Sequence, residues 1–517
     1  MTLADSNTLE SEKKSTSGEL ACSHSLESYL QRIRDALPTV DRTLRDHGDK
    51  TIAQYLETQN VFSATSFQPR DDLAEVVYNY AKPLLGEEVA REAASELLAN
   101  PVVLTANHHG VDYFAQSVQG TLIFSLRKIN GKQAKTVPVF ACGNVPINNF
   151  TYPRGAILYP NGFSEKSGFH VKFPVFPSKN RRDSVCTVRA FNIGDVEAFK
   201  RKIIKSINPD FKDRVETIID QTYSPVVNLD NYSNQSVIVN ALIWERFFER
   251  TECPTKLVYL EIEKIASKLI EYDLENENSL FNMVFFEKRA RDLLFSALKG
   301  KKNCWDYFKQ ENNKYKSSGT FFFWGVDKKG RRVPLFQRDI EGKYKLFGES
   351  DSGEELLFDI DKESIASAIK ERRIIPSLFS SYLVINMARG VTGLGGYYQS
   401  DYLPEMQNKV LDVLSDIYPN ENSSSIKSVK TDGYLSGMQV LTNVIEGAVF
   451  PVGPLEIMLQ GMSYESYRSI ENISVEESHE LSMIETLFDL DLIEKDFSFV
   501  GNLCKSLKAY EVLDPIN

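Results

Sequence analysis

The stretch that most constrains this chain is Val102 to Pro160. Pro101 ends the helical pattern before it, Val102 to Ala106 is a short apolar run containing β-branched residues, and Asn107-His108-His109-Gly110 follows directly. Val111, Phe114, Val118, Leu122 and Ile129 then hold a roughly helical period until Asn130-Gly131, a pair suited to a C-cap and turn. A second strand pattern, Thr136 to Ala141, starts after the basic loop Lys132 to Lys135. Together these make one βαβ unit, whose strands pair in parallel. Ligands of open α/β sheets sit at the carboxyl ends of the strands, where both Asn107-His108-His109-Gly110 and Cys142-Gly143-Asn144 fall.

The rest of the 517 residues organise around that unit. Residues 1–25 are Ser, Thr, Glu and Lys rich and read as a disordered tail, and residues 26–100 carry helical periodicity, interrupted by Pro83. Residues 101–233 read as the first part of the core, with a strand expected over Ser184 to Phe191, and residues 234–319 as a helical segment. Residues 320–360 alternate short extended runs with Lys-Lys-Gly, Glu-Gly-Lys and Ser-Gly turns, the pattern of a small antiparallel meander. Residues 361–416 return to the core through a helix, an expected strand at Ser381 to Asn386, and a loop carrying Gly390, Gly393, Gly395 and Gly396. Residues 417–517 read as a separate α-helical extension. The expected fold is α/β: a Rossmann-like parallel sheet with helical layers, a small antiparallel β insertion and that extension.

Composition narrows the function. A net charge of −11 opposes nucleic acid as the main partner, because phosphate binding needs a positive field. The six cysteines form no CxxC pair or zinc-like spacing, which fits a reducing cytoplasm. No run of about 18 apolar residues is present to span a bilayer, and the N-terminus has no apolar signal core. The expectation is a cytoplasmic protein acting on small-molecule substrates, without nucleic acid or membrane, and with a homodimer left open.

Two of the chain's six histidines stand together at a strand end. A neutral imidazole of His108 or His109 suits a general base that takes a proton from an attacking amine, hydroxyl or thiol, and Asp112 is placed to orient it. As metal ligands the three would need a further partner that the sequence does not supply, so no metal is expected. Loop histidines also commonly just satisfy backbone groups. Asn107 and Asn144 would hold a polar group of the substrate. Gly393, Gly395 and Gly396, running into a helix, would offer bare amides to an anion such as a nucleotide phosphate (ATP or ADP), with Arg389 as a guanidinium clamp. Arg181-Arg182 reads as a solvated charge run or a second clamp, and Cys142 as a nucleophile or a small buried hydrophobe.

The histidine pair is similar to the HHxxxDG motif of condensation and chloramphenicol-acetyltransferase-like enzymes, which implies a histidine-dependent acyltransferase. A broader resemblance covers roughly Val102 to Met406. Thr105-Ala106-Asn107-His108-His109-Gly110 looks like the strand-end T-G-Q-Q-x-G of the cysteine-adding enzymes of bacillithiol biosynthesis. Val137-Pro138-Val139-Phe140 looks like their V-P-V-F-W strand, and Thr392-Gly393-Leu394-Gly395-Gly396-Tyr397-Tyr398-Gln399 like their G-G-P-G-E-x-x-Y-x-x-Q. The resemblance implies a Rossmann-like core, a nucleotide-sized pocket with Tyr398 and Gln399 at the substrate, and ligase-like addition of an amino acid to an amine. Cys142-Gly143-Asn144-Val145-Pro146 stands where that family has E-D-H-D, so a different substrate is expected. A ligand-binding or interaction protein that has kept the fold without the chemistry is the non-enzyme alternative.

Overall fold

The apolar runs flanking the histidine loop are strands, as expected: β1 (Val102–Leu104) and β2 (Thr136–Ala141). In the computed structural model residues 26–147, 154–159, 171–252, 254–300, 308–311, 314–317, 319–320, 322–445, 447–492 and 507 are described. The tail expected over residues 1–25 lies outside them. β3 (Lys256–Glu261), β4 (Thr392–Gly396) and β5 (Tyr434–Ser436) complete a five-stranded sheet in the order β3-β2-β1-β4-β5. Every pairing is parallel: Thr136 opposes Lys256, Leu104 opposes Val139, Val102 opposes Thr392 and Gly395 opposes Tyr434. The order runs one way from β1 to β3 and the other way from β1 to β5, so it reverses between β1 and β4.

Alternation along the strands builds two cores. Val102, Leu104, Val137, Val139 and Tyr259 face a layer that includes α1 (Ala115–Ser125) and Trp244 and Phe247 of α2 (Tyr232–Phe247). Val103, Phe140, Val258 and Leu260 face the opposite layer. That layer holds the helix Asp71–Leu85, α3 (Ile262–Glu275) and α4 (Gln399–Ile417). Side chains of a strand point alternately to its two faces, so a sheet covered on both sides needs apolar residues at every position. All six residues of β2 are buried, as that requires.

Four sequence expectations change. Residues 234–319 are not wholly helical, because Lys256–Glu261 is the edge strand β3. The run Ser381 to Asn386 is not a strand: Leu378–Tyr382 is α-helical and Leu383–Met387 a π-helical turn, fully buried, where apolar content alone does not separate helix from strand. The strand is the glycine segment itself, β4. The last hundred residues are not a separate helical extension, since they supply β5 and the hairpin Thr442–Ile445 with Ala448–Pro451 as well as helices such as Val475–Asp489. No strand forms over Ser184 to Phe191, which is turns and irregular chain. The meander is present as two antiparallel sheets, one of Phe336–Ile340, Lys343–Glu349 and Glu355–Asp359 and one of Phe323–Val326, Arg332–Pro334 and Ile374–Pro376.

Candidate functional site

The carboxyl ends of β1, β2 and β3 carry a dense polar cluster. Pairing continues past the strands: the His109 amide donates to Cys142 O at 2.7 Å and the Cys142 amide to Asn107 O at 2.9 Å. This places His108 opposite Cys142. β3 passes directly into α3, and Glu263 in the first turn of that helix reaches across to the end of β2. Its carboxylate accepts from the Gly143 amide at 2.8 Å and the Asn144 amide at 2.9 Å, with Cys142 Sγ 3.3 Å away. Gly143 must lack a side chain, because a Cβ there would lie 2.7 Å from Cys186 Sγ.

Glu261, the last residue of β3, is ion-paired with Arg372 at 3.5 Å and Lys264 at 3.8 Å. Lys264 Nζ also donates to Ser233 Oγ at 2.9 Å and Asn234 Oδ1 at 2.8 Å. Ser233, at the start of α2, lies 2.9 Å through Oγ and 3.2 Å through its carbonyl from His109 Nε2. His109, Ser233, Lys264 and Glu261 thus form one continuous chain of polar contacts. Cys186, Glu261 and Glu263 hold a thiol and two carboxylates within 4.8 Å of one another, but Lys264 and Arg372 already supply two positive charges there.

The electrostatics drive neighbouring groups in opposite directions. Burial, aided by Arg154 and Arg332, lowers His108 to about 3, and burial lowers His109 to about 4, so both imidazoles are neutral near pH 7. Burial opposes ionisation of Glu261, but Lys264 and Arg372 outweigh it and hold that carboxyl below its usual range. Burial and the Glu261 charge push Glu263 up. The Cys142 thiol is pushed up by burial and by Glu263, which disfavours the nucleophilic thiolate considered for it.

The expected site residues separate into those at this cluster and those elsewhere. His108 is half-buried and His109 fully buried. Asp112 does not orient His109. It precedes α1 rather than lying in its first turn, and its carboxylate accepts from Ser117 Oγ at 2.5 Å, the Phe114 amide at 3.1 Å and Asn107 Nδ2 at 3.4 Å, with the Tyr259 hydroxyl 3.2 Å away. Asn107 is turned the same way, donating to Ser117 Oγ at 2.7 Å and Thr121 Oγ1 at 3.3 Å, so both residues brace the loop from beneath. Asn144 ties its loop to Pro376 O at 2.8 Å.

Arg389 is at the wrong end of the sheet for an anion clamp. It precedes β4, is fully buried, and is engaged by Asp72 at 2.5 Å and Asp273 at 2.8 Å. Nor are the glycines of β4 an open cradle: a Cβ on Gly393 would meet Asn386 Nδ2 at 2.8 Å, and one on Gly395 would meet Gln399 Cδ at 2.4 Å. Gln399 folds back over β4, donates to Thr105 Oγ1 at 2.6 Å and accepts from the Tyr382 hydroxyl at 2.9 Å. Only Gly396 is loosely surrounded, its nearest neighbour being Ser436 O at 3.6 Å. Tyr398, 38% exposed, sits beside it at the start of α4. Arg181 and Arg182 are exposed, as a solvated charge run would be.

Sequence reading passed over Ser233, Glu261, Glu263, Lys264, Arg154 and Arg332. The available signal was Leu257-Val258-Tyr259-Leu260-Glu261-Ile262-Glu263-Lys264, an apolar run ending in charge, the same form as the histidine loop. Arg154 lies over Gly110, whose Cβ would come within 2.3 Å of Arg154 Cδ, and Gly110 itself has a φ of +116° that favours glycine. No helix among the described residues is long and apolar enough to cross a membrane. The chain matches no protein-family model, no curated protein and no solved structure.

Proposed function

We propose that this chain is a Rossmann-like α/β enzyme that joins or transfers a group between small polar metabolites in the cytoplasm. Formation of a C–N bond between a carboxyl group and an amine, in the manner of a ligase, is the primary reading. The observation that carries it is the cluster at the carboxyl ends of β1–β3, where adjacent groups have pKa values driven apart: His108 and His109 down, Glu261 down, Glu263 up. The strand order β3-β2-β1-β4-β5 is that of the doubly wound fold, whose ligands sit at this end of the sheet. It supports the Rossmann-like reading and the resemblance to cysteine-adding enzymes.

In this reading His108, half-buried and opposite Cys142, is the group that meets the substrate and receives a proton from the attacking amine. Asp112 and Asn107 hold its loop, and Glu263 holds the facing loop through two amides. Tyr398 and Gly396 mark where a second substrate or a nucleotide would enter beside β4. A histidine-dependent acyltransferase is the second reading. The close packing of Gly393 and Gly395 favours it, because transfer from an already activated acyl donor needs no nucleotide cradle.

A thermal-shift screen of the purified chain against nucleotides, amino acids, acyl-CoAs and divalent metals separates these readings, since a ligand of the native state raises stability with its concentration. Stabilisation by an amino acid or nucleotide, followed by product formation from the pair that His108→Ala abolishes without unfolding the protein, is the expected result. A shift with acyl-CoA alone moves the acyltransferase ahead. Silence across the panel would leave a ligand-binding or interaction protein.

A further inference from the structure

We propose that the substrate of this site is anionic, its carboxylate or phosphate group seated on the Arg332 guanidinium beside His108, with Arg154 behind. The inference rests on the enzyme reading for its meaning but not for its test. Two arginines bracket the His108–Cys142 pair. Arg154, 1% exposed, lies against Gly110, two residues after His108. Arg332 donates to Asn144 O, two residues after Cys142, and stacks on the Trp324 ring with its guanidinium 4.4 Å from the ring centroid. Among the described residues Arg332 makes no direct ion pair, although it is half-buried; burial lowers its pKa, while Cys142, Cys186 and the Glu263 carboxyl act on it in the opposite sense. A desolvated guanidinium held without a direct ion pair among the described residues is costly, an anion in contact with it offsets that cost, and its planar fork matches a carboxylate or phosphate. The strand carrying Arg332 is paired to Phe323–Val326, so the fork is held in place rather than left on a loop.

The charged and titratable groups around His108 are Arg154 and Arg332, Cys142 from β2, the Tyr259 hydroxyl 2.8 Å from its carbonyl, Glu263 from α3, and neighbouring His109. The two arginines, as positive charges, are what disfavour a protonated imidazole beyond burial itself. An anion on Arg332 offsets that repulsion and adds attraction. His108 would then be a stronger base with the substrate bound than without it, so that the general base is completed by the molecule it acts on.

The test is histidine NMR on the full chain, labelled at the imidazole carbon, with His108 assigned from the His108→Gln spectrum. Without added anion His108 should titrate at about 3. Saturating inorganic phosphate or trifluoroacetate, both still anionic at this pH, should raise that midpoint by about one to three pH units, the effect of one charge a few ångströms away. In Arg332→Gln the midpoint without anion should already be higher, and half-saturation should need at least about tenfold more anion. Arg332→Lys, which keeps the charge but loses the fork, should fall between them. A response to phosphate but not trifluoroacetate assigns a phosphate group, and the reverse assigns a carboxylate. No anion-dependent shift in the wild type, or the same shift and affinity in Arg332→Gln, would overturn the proposal. A full response in a protein with no turnover would keep the anion site and sink the enzyme reading.

Discussion

Arg389 and Arg332 lie at opposite ends of the five-stranded sheet, Arg332 reaching its carboxyl end from a neighbouring antiparallel sheet, and have opposite surroundings. Before β4, Arg389 is fully buried and gripped by the Asp72 and Asp273 carboxylates, whose charges outweigh burial and raise its pKa. Beyond β2, Arg332 is half-buried against a carbonyl and an indole, makes no direct ion pair among the described residues, and has its pKa lowered because burial outweighs the more distant Cys142, Cys186 and Glu263. The first is a guanidinium whose hydrogen bonds are spent on holding two helices to the strand. The second is the one we propose as the seat of an anion. Residue type and burial alone do not tell a clamp from a brace; the charge balance of the immediate neighbours does.

The comparison is broken most severely at its structural side. Arg389→Ala leaves Asp273, 1% exposed, as a buried carboxylate without its cation, and removal of one partner of a buried pair costs about 3–5 kcal/mol. Urea unfolding should show that loss, whereas Arg332→Gln should change stability by no more than about 2 kcal/mol, the scale of one hydrogen bond and one cation–π contact together. Equal losses in the two variants would erase the distinction.

The next effect is a pH dependence at the carboxyl end. His109 is neutral in the fold down to about 4, against an ordinary value of 6.5. The unfolded chain therefore binds a proton that the fold refuses between those values, and stability falls as pH drops through the window. The loss is about 1.4 kcal/mol per pH unit and about 3 kcal/mol across it. Glu263, held protonated to higher pH in the fold, acts in the opposite sense, losing its contribution as pH rises. The difference between wild type and His109→Gln isolates the histidine share: the wild type should lose more stability than the variant between pH 6.5 and pH 4.

Smaller effects are expected within β4. Gly395→Ala pushes a Cβ into Gln399 and displaces it from Thr105 and Tyr382, at a cost of about 1–3 kcal/mol for an overpacked core position. Gly396→Ala meets nothing closer than 3.6 Å and should cost less than about 0.5 kcal/mol in thermal unfolding, as a surface substitution does. A reversal of that order would mean that Gly395, not Gly396, is the open position on this strand.

The histidine loop was legible because a β-branched run, a polar break and a second apolar run follow one another without competing patterns in Val102 to Ala141. The rest of the sheet was not, for separate physical reasons. β3 runs into α3 with no turn residue between Glu261 and Ile262, so the apolar pattern reads as one continuous helix. Thr392-Gly393-Leu394-Gly395-Gly396 has the composition of a loop, and becomes a strand because Asn386, Thr105 and Gln399 fill the space its missing side chains leave. β5 is three residues long, too short to show an alternation. Within the site, spacing located both histidines but not where Asp112 points, which depends on α1 starting at Ala115 rather than at Gly110. Glu261, Glu263 and Lys264 were hidden with the strand-to-helix junction that carries them.

The most direct test of the central claim, that the working end of the molecule is the cluster after β1–β3, is ligand-dependent thermal stabilisation compared in wild type, His108→Gln and Tyr398→Ala. For at least one compound that stabilises the wild type, the shift should vanish in His108→Gln while the ligand-free melting temperature stays within about 1–2 °C, the change that about 1–2 kcal/mol produces in a chain of 517 residues. If every stabilising compound kept its shift in His108→Gln and lost it in Tyr398→Ala, the site would lie wholly at the end of β4, and the account would be contradicted.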